Sequence, residues 1–195
     1  MTWTTVVVAI AVTACGGSSS SKQTATPLAS TAQASVPAKI ATPAVAACPT
    51  PPPGPPSAVQ YSAPATSQAQ AVLNSVQVAS GTCSDIATFT FAGPGIPAYE
   101  AKYVPSAEGC GSGIPVTTAG PAQLALRLEP AVAHDQSGNA TVNAQSLAPN
   151  LMSIKELKST CDFEGVVAWV IGTELRYFTV TTASSPSRII VEVYQ

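Results

Sequence analysis

The side chains able to do chemistry are few and widely spaced. The 195 residues hold one histidine, His134, followed directly by Asp135, and a second acidic pair at Asp162 and Glu164. Neighbours on an extended chain point to opposite sides, so Asp135 does not orient His134 as a catalytic base requires. A structural histidine held in a loop is the preferred reading of His134. Asp162 and Glu164, two positions apart, can share one face of a strand, as a paired-carboxylate acid and base would need. The alternative, two solvated acids at a strand edge, is preferred. Tyr99, Tyr103 and Tyr177 can stack on sugar rings if they are exposed, or serve as half-buried packing. Gly109-Cys110-Gly111-Ser112-Gly113 lacks the Lys-Ser/Thr of a phosphate loop, and Cys110 stands where G-x-S-x-G needs serine. With no C-x-x-C, H-E-x-x-H or Cys/His cluster, neither a metal site nor a cofactor is expected.

The five cysteines divide by position. Cys15 closes Val12-Thr13-Ala14-Cys15, which resembles a bacterial lipobox: aliphatic, small, small, Cys. It follows the short apolar run Val6–Val12, of signal-peptide rather than membrane-spanning length. That resemblance makes Cys15 the lipidation site and residues 1–15 a lipoprotein signal peptide. Residues 1–5 carry no Lys or Arg, unlike an ordinary positive n-region, and a plain secretory signal is the alternative. Cys48, Cys83, Cys110 and Cys161 remain, an even number in an exported chain, where disulfides persist. Four cysteines allow three complete pairings. A single bridge within the domain, Cys110 with Cys161 for preference, is also open.

These residues sit in pieces of unlike composition. Residues 16–70 hold ten of the 18 prolines, one aromatic residue and two charges. So little bulky apolar surface does not repay the entropy of ordering, and the segment reads as a disordered tether. A flexible chain of that length spans roughly 40 Å, enough to let an anchored domain search its surroundings. Residues 71–195 hold nine of the eleven aromatics, with six basic and ten acidic residues. This is the foldable unit, and its net charge of −4 gives no footprint for nucleic acid.

Within that unit the apolar period is two. Leu124, Leu126 and Leu128 alternate with Gln123, Ala125 and Arg127; Phe89 and Phe91 share a face; Ile189, Val191 and Val193 share another. Val166–Ile171 is apolar on both faces, as a central strand is. Leu151, Ile154 and Leu157 recur every third residue and predict a short helical turn. Seven or eight strands joined by Gly/Pro/Ser turns predict an all-β, two-sheet antiparallel β-sandwich. Its core is expected to include Val76, Phe89, Phe91, Leu126, Val167, Trp169, Phe178, Val180, Ile189 and Val191.

The order of motifs from residue 83 onward resembles a family. Phe89-x-Phe91-x-Gly93-Pro94-Gly95-x-Pro97-x-Tyr99, Leu126-x-Leu128-Glu129-Pro130-Ala131-x-Ala133-His134-Asp135, Asp162-Phe163-Glu164-Gly165 and Pro186-x-Arg188-Ile189-Ile190-Val191-x-Val193 resemble the AMIN-like domain of actinobacterial secreted proteins and lipoproteins. Two positions depart from it: Asp85–Thr88 lacks the usual basic residue, and Glu192 stands where Asp is common. The resemblance implies a non-catalytic envelope module on the outer face of the cell membrane, without an amidase activity of its own. Its expected partners are the membrane, through Cys15, and peptidoglycan or a cell-wall protein. A small-ligand carrier or protein-interaction lipoprotein is the alternative, and a hydrolase using Asp162, Glu164 and His134 the more distant one. Candidate ligand-binding residues are Tyr99, Tyr103, Tyr177, His134, Asp135, Asp162 and Glu164.

Overall fold

A computed structural model of the chain describes residues 47–142 and 144–195. Cys15 and the rest of residues 1–46 lie outside the described residues, so the signal-peptide and lipidation readings have no structural counterpart. A 3-10 turn over Pro56–Ala58 leads into thirteen strands. They are β1 (Gln60–Ala63), β2 (Ala71–Ser80), β3 (Ser84–Ala92), β4 (Ala98–Val104), β5 (Ala107–Glu108), β6 (Pro115–Val116) and β7 (Ala122–Glu129). Then come β8 (Ala131–Val132), β9 (Ser146–Leu147), β10 (Ile154–Phe163), β11 (Val166–Thr173), β12 (Phe178–Ser184) and β13 (Ser187–Tyr194).

Two sheets face each other, one of six strands in the order β1-β4-β7-β11-β10-β9 and one of five in the order β12-β13-β3-β2-β8. Pairing is antiparallel except between β2 and β8. Residues opposite each other across a ladder share a face, so the period-two pattern lines up into rows. Ala101, Leu126 and Trp169 form one inward row of the six-stranded sheet, and Val76, Phe89 and Ile189 form one in the five-stranded sheet. The rings of Phe89 and Trp169 meet edge to face between the sheets, centroids 6.0 Å apart. Of the ten expected core residues, all but Val76 are buried; Val76 is half-buried against the core because β8 covers only the first two residues of its strand.

Two expectations fail for stated reasons. Ile154 and Leu157 lie on a strand, not on a helical turn: a register shift between Ile154 and Glu156 inserts one residue, so two inward side chains stand three apart. The segment read as tether up to residue 70 is partly folded. Tyr61 of β1 stacks edge-on against Phe178 at 5.3 Å, while the backbone of β1 extends the six-stranded sheet beside β4. Average composition hides one aromatic residue backed by a full ladder of hydrogen bonds. The same stretch is secured by a disulfide between Cys48 and Cys83, which closes a loop over 35 positions and restricts the unfolded chain.

The second disulfide joins Cys110 to Cys161. Ser159 lies opposite the inward Trp169, whereas Cys161 lies opposite Ala168, whose side chain faces outward. The register shift between them turns Cys161 onto the outer face, where Cys110 waits. Without that bulge, Cys161 would point into the core.

Candidate functional site

The polar candidates converge where β8 leaves the five-stranded sheet. The Ala131 N–H donates to the Gly165 carbonyl (2.8 Å), which sets β8 against the β10–β11 turn. Asp162, one residue from the end of β10, then reaches the loop after β8 with both carboxylate oxygens. Oδ1 accepts the Ala133 N–H at 2.9 Å, and Oδ2 lies 2.7 Å from His134 Nδ1. In a neutral ring this contact places the proton on Nδ1, which leaves Nε2 as an acceptor. The His134 side chain is 39% exposed and that of Asp162 26%, so the pair is reachable by a ligand.

The next residues form a tight loop built by Asp135. Its Oδ1 accepts the N–H groups of Ser137 (2.8 Å) and Asn139 (2.9 Å), and Asn139 Nδ2 donates to Oδ2 at 3.1 Å. Hydrogen bonds from the Asn139 side chain and backbone, ahead of the Ser137 N–H, hold the Asp135 carboxyl below its ordinary range. Thr141 anchors the return of the loop by donating to the Leu73 carbonyl at 2.6 Å. Together they border a hollow of about 410 Å³, with His134, Asp135, Gln136, Gln70 and Thr141 around Val72 and Val132. A few convergent polar groups over an apolar base can hold a small hydroxylated ligand by direction and shape.

Asp135 does not orient His134, as expected of sequence neighbours; the acid that does is Asp162, 28 positions away. Nor do Asp162 and Glu164 share a strand face. Glu164 (φ 50°) and Gly165 (φ 79°) are the two left-handed residues of the β10–β11 turn, and the Glu164 side chain is exposed there. The paired-carboxylate arrangement is therefore absent. Phe163, beside that turn and 58% exposed, is a large apolar side chain the reading passed over. Its position opposite Val166, on the outer face, follows only once the turn is known.

The tyrosines lie elsewhere. Tyr103 packs edge-on against Phe178 (5.5 Å) and donates its hydroxyl to the Arg176 carbonyl (2.8 Å). Burial raises its pKa, against hydrogen bonds that lower it. Tyr99 is half-buried against the core, opposite Leu128. Tyr177 is half-buried, and its carbonyl accepts the Tyr194 N–H. None of the three borders the hollow at His134. Among the described residues, no group of three or more His, Cys, Asp or Glu side chains is placed to hold a metal ion.

A family model, the AMIN-like domain, matches residues 71–195, which is nearly the whole sandwich. No curated protein matches the chain, and no solved structure matches it. Covering well over half of the residues, the family match agrees with the two-sheet fold and shows that the chain belongs to the AMIN-like domain family.

Proposed function

We propose that this protein is a membrane-anchored lipoprotein of the cell envelope whose AMIN-like domain binds peptidoglycan without catalysing a reaction. The AMIN-like domain is a cell-wall-related binding module, and two disulfides suit a protein exported to an oxidising compartment. Acylation of Cys15 would supply the anchor, and the residues between it and the sandwich the reach. The observation that carries the binding reading is the oriented His134–Asp162 pair beside the Asp135 loop. It presents fixed donors and acceptors at an open hollow, as recognition of hydroxyl and amide groups requires.

The same pair is why hydrolysis stands as the second reading, since an imidazole held by a carboxylate can take a proton from water. Of the two routes, a protein nucleophile working through the ring lacks support, and hydrolysis by an activated water is what the fragment-release arm of the test addresses. Among the described residues, no hydroxyl or thiol is hydrogen-bonded to His134, and all four cysteines are in disulfides.

The test is co-sedimentation of residues 16–195 with purified sacculi across a salt titration. Saturable pelleting that survives moderate salt is expected, weakened about tenfold by His134→Ala, with no soluble fragments released. Wild-type protein that stays in the supernatant would overturn wall binding. Release of wall fragments that stops in His134→Ala would replace it with hydrolysis.

A further inference from the structure

The five-stranded sheet ends on an edge that is only partly covered. There β8 pairs with Ala71 and Val72 of β2, and Thr141 donates to the Leu73 carbonyl at 2.6 Å. Among the described residues, no backbone hydrogen bond reaches the outer edge of β2 beyond that point. The direction of the free groups follows from the β2–β3 hairpin. The Gly81 N–H donates to the Ser84 carbonyl at 2.7 Å, so these two form a hydrogen-bonded pair. Such pairs alternate along an antiparallel ladder, and the register from Ser75 to Ser80 is unbroken. Gln77 and Ala79 therefore bond to β3, whereas Val76, Val78 and Ser80 turn their N–H and C=O groups to the open edge. The side chains there are also incompletely covered. Val76 and Val78 face inward, opposite Phe89 and Ala87, yet both are only half-buried. A groove of about 550 Å³ lies beside them, bordered on its other side by Leu147, Ala148 and Pro149, at and just after β9.

We infer that this edge pairs with the same edge of a second copy of the chain, β2 antiparallel to β2 about a two-fold axis at Gln77. Gln77 is the centre of the free stretch Asn74–Ser80. With the axis there, Val76 lies opposite Val78 of the second copy, and Val78 opposite its Val76. All four residues face the shared edge, so both are hydrogen-bonded pairs and the free backbone groups satisfy one another. The same pairs set valine beside valine on the inward face, so each copy covers the other's groove. Charge permits the approach. Neither Asn74–Ser80 nor the groove lining holds a charged residue, and the stretch has no proline; edges kept apart commonly carry one or the other. The other outer strand of this sheet, β12, is uncharged too, but its inward Phe178 and Val180 are already buried, so pairing there covers nothing. Like-with-like pairing also closes at two copies, whereas β2 on β12 would propagate. Seven residues of edge bury less than the ~800 Å² per partner of a standard interface, so the dimer is weak, with a Kd on the order of 100 μM. The inference stands apart from the wall-binding reading.

Sedimentation equilibrium of residues 16–195 from micromolar to millimolar concentration provides the test. A monomer–dimer equilibrium is expected, with nothing larger. At the axis, Gln77 meets its own symmetry mate in a non-hydrogen-bonded pair, the closer of the two kinds, with both side chains on the outer face. Gln77→Lys and Gln77→Glu should each weaken the dimer about fivefold through like-charge contact, and an equimolar mixture of the two should restore it. Gln77 is exposed, so neither variant disturbs the fold. Hydrogen exchange reads the backbone directly. The Val76 and Val78 amides should slow several-fold as the protein approaches millimolar concentration, while those of Gln77 and Ala79, already bonded to β3, stay unchanged. A chain that is monomeric at millimolar concentration, or that assembles beyond two copies, would overturn the inference. So would a dimer that ignores the charges at residue 77, or one in which Val76 and Val78 gain no protection.

Discussion

Two carboxylates meet β10 at its opposite ends and do unlike things with the same chemistry. Asp85, on β3, is fully buried and accepts the N–H groups of Ser153 and Ile154 with one oxygen. Its other oxygen accepts Ser80 Oγ (3.1 Å) and Gln195 Nε2 (3.2 Å). It thereby ties the β2–β3 hairpin, the start of β10 and the C-terminus into one closed end. Asp162 also fixes a loop through a backbone N–H, that of Ala133, but spends its second oxygen on the half-exposed ring of His134. A carboxylate whose bonds all go inward is a fastening; one that passes a hydrogen bond outward to a titratable ring is part of a site. The comparison separates Asp85, all of whose bonds go inward, from Asp162, which orients a half-exposed ring at the proposed site.

Removing the fastening should have the largest effect. Asp85→Ala strands two buried N–H donors and leaves a void, so a loss of about 3–5 kcal/mol in urea unfolding at neutral pH is expected. A loss under about 1 kcal/mol, or one smaller than that of Asp162→Ala, would break the comparison.

Acid should loosen the same point next. Burial pushes the Asp85 carboxyl up, but the N–H groups of Ser153 and Ile154, with Gln195 and Ser80, outweigh it and hold the group below its usual value. A lowered folded-state pKa means that the unfolded chain binds the proton more readily. The stabilisation is therefore complete above the ordinary carboxylate value, near pH 4, and is lost as the pH falls below it through the folded-state pKa. Glu156, held down chiefly by the Ala119 N–H, adds to the same acid limb. Melting temperature should be level from pH 7 to about 5 and then drop. Asp85→Asn should lower the plateau, through a loss of about 2 kcal/mol in unfolding free energy, and flatten the drop; an unchanged acid limb would remove Asp85 from this role.

How much of this the sequence disclosed depends on the range of the contact. The alternation at Leu124–Leu128, Phe89–Phe91 and Ile189–Val193 is local, and it gave the sandwich and most of its core. Bulges break that logic, because one inserted residue moves every later side chain to the other face. The same device misled the reading at Ile154–Leu157 and made the Cys110–Cys161 bond possible. The site was harder still. Adjacency in sequence ruled Asp135 out as the partner of His134 but could not name the true one, which is set by where β8 lies beside the β10–β11 turn. Residue types named His134 and Asp162 as candidates; only the fold joined them.

The smallest effect on stability should be the most informative about the site. Asp162→Asn keeps an oxygen for the Ala133 N–H but offers an amide N–H donor where His134 Nδ1 now finds an accepting carboxylate oxygen. Stability should change by less than about 1 kcal/mol, since the group is partly exposed and one of its two bonds survives. In the neutral ring, the amide donor moves the proton from Nδ1 to Nε2, which turns the outward-facing acceptor into a donor. Long-range ¹H–¹⁵N correlation spectra of the imidazole would report that exchange directly. If recognition runs through Nε2, Asp162→Asn should weaken sacculus pelleting as much as His134→Ala does, with the fold intact. A tautomer that switches while pelleting holds would show that the pair is a fastening after all, a more exposed copy of Asp85.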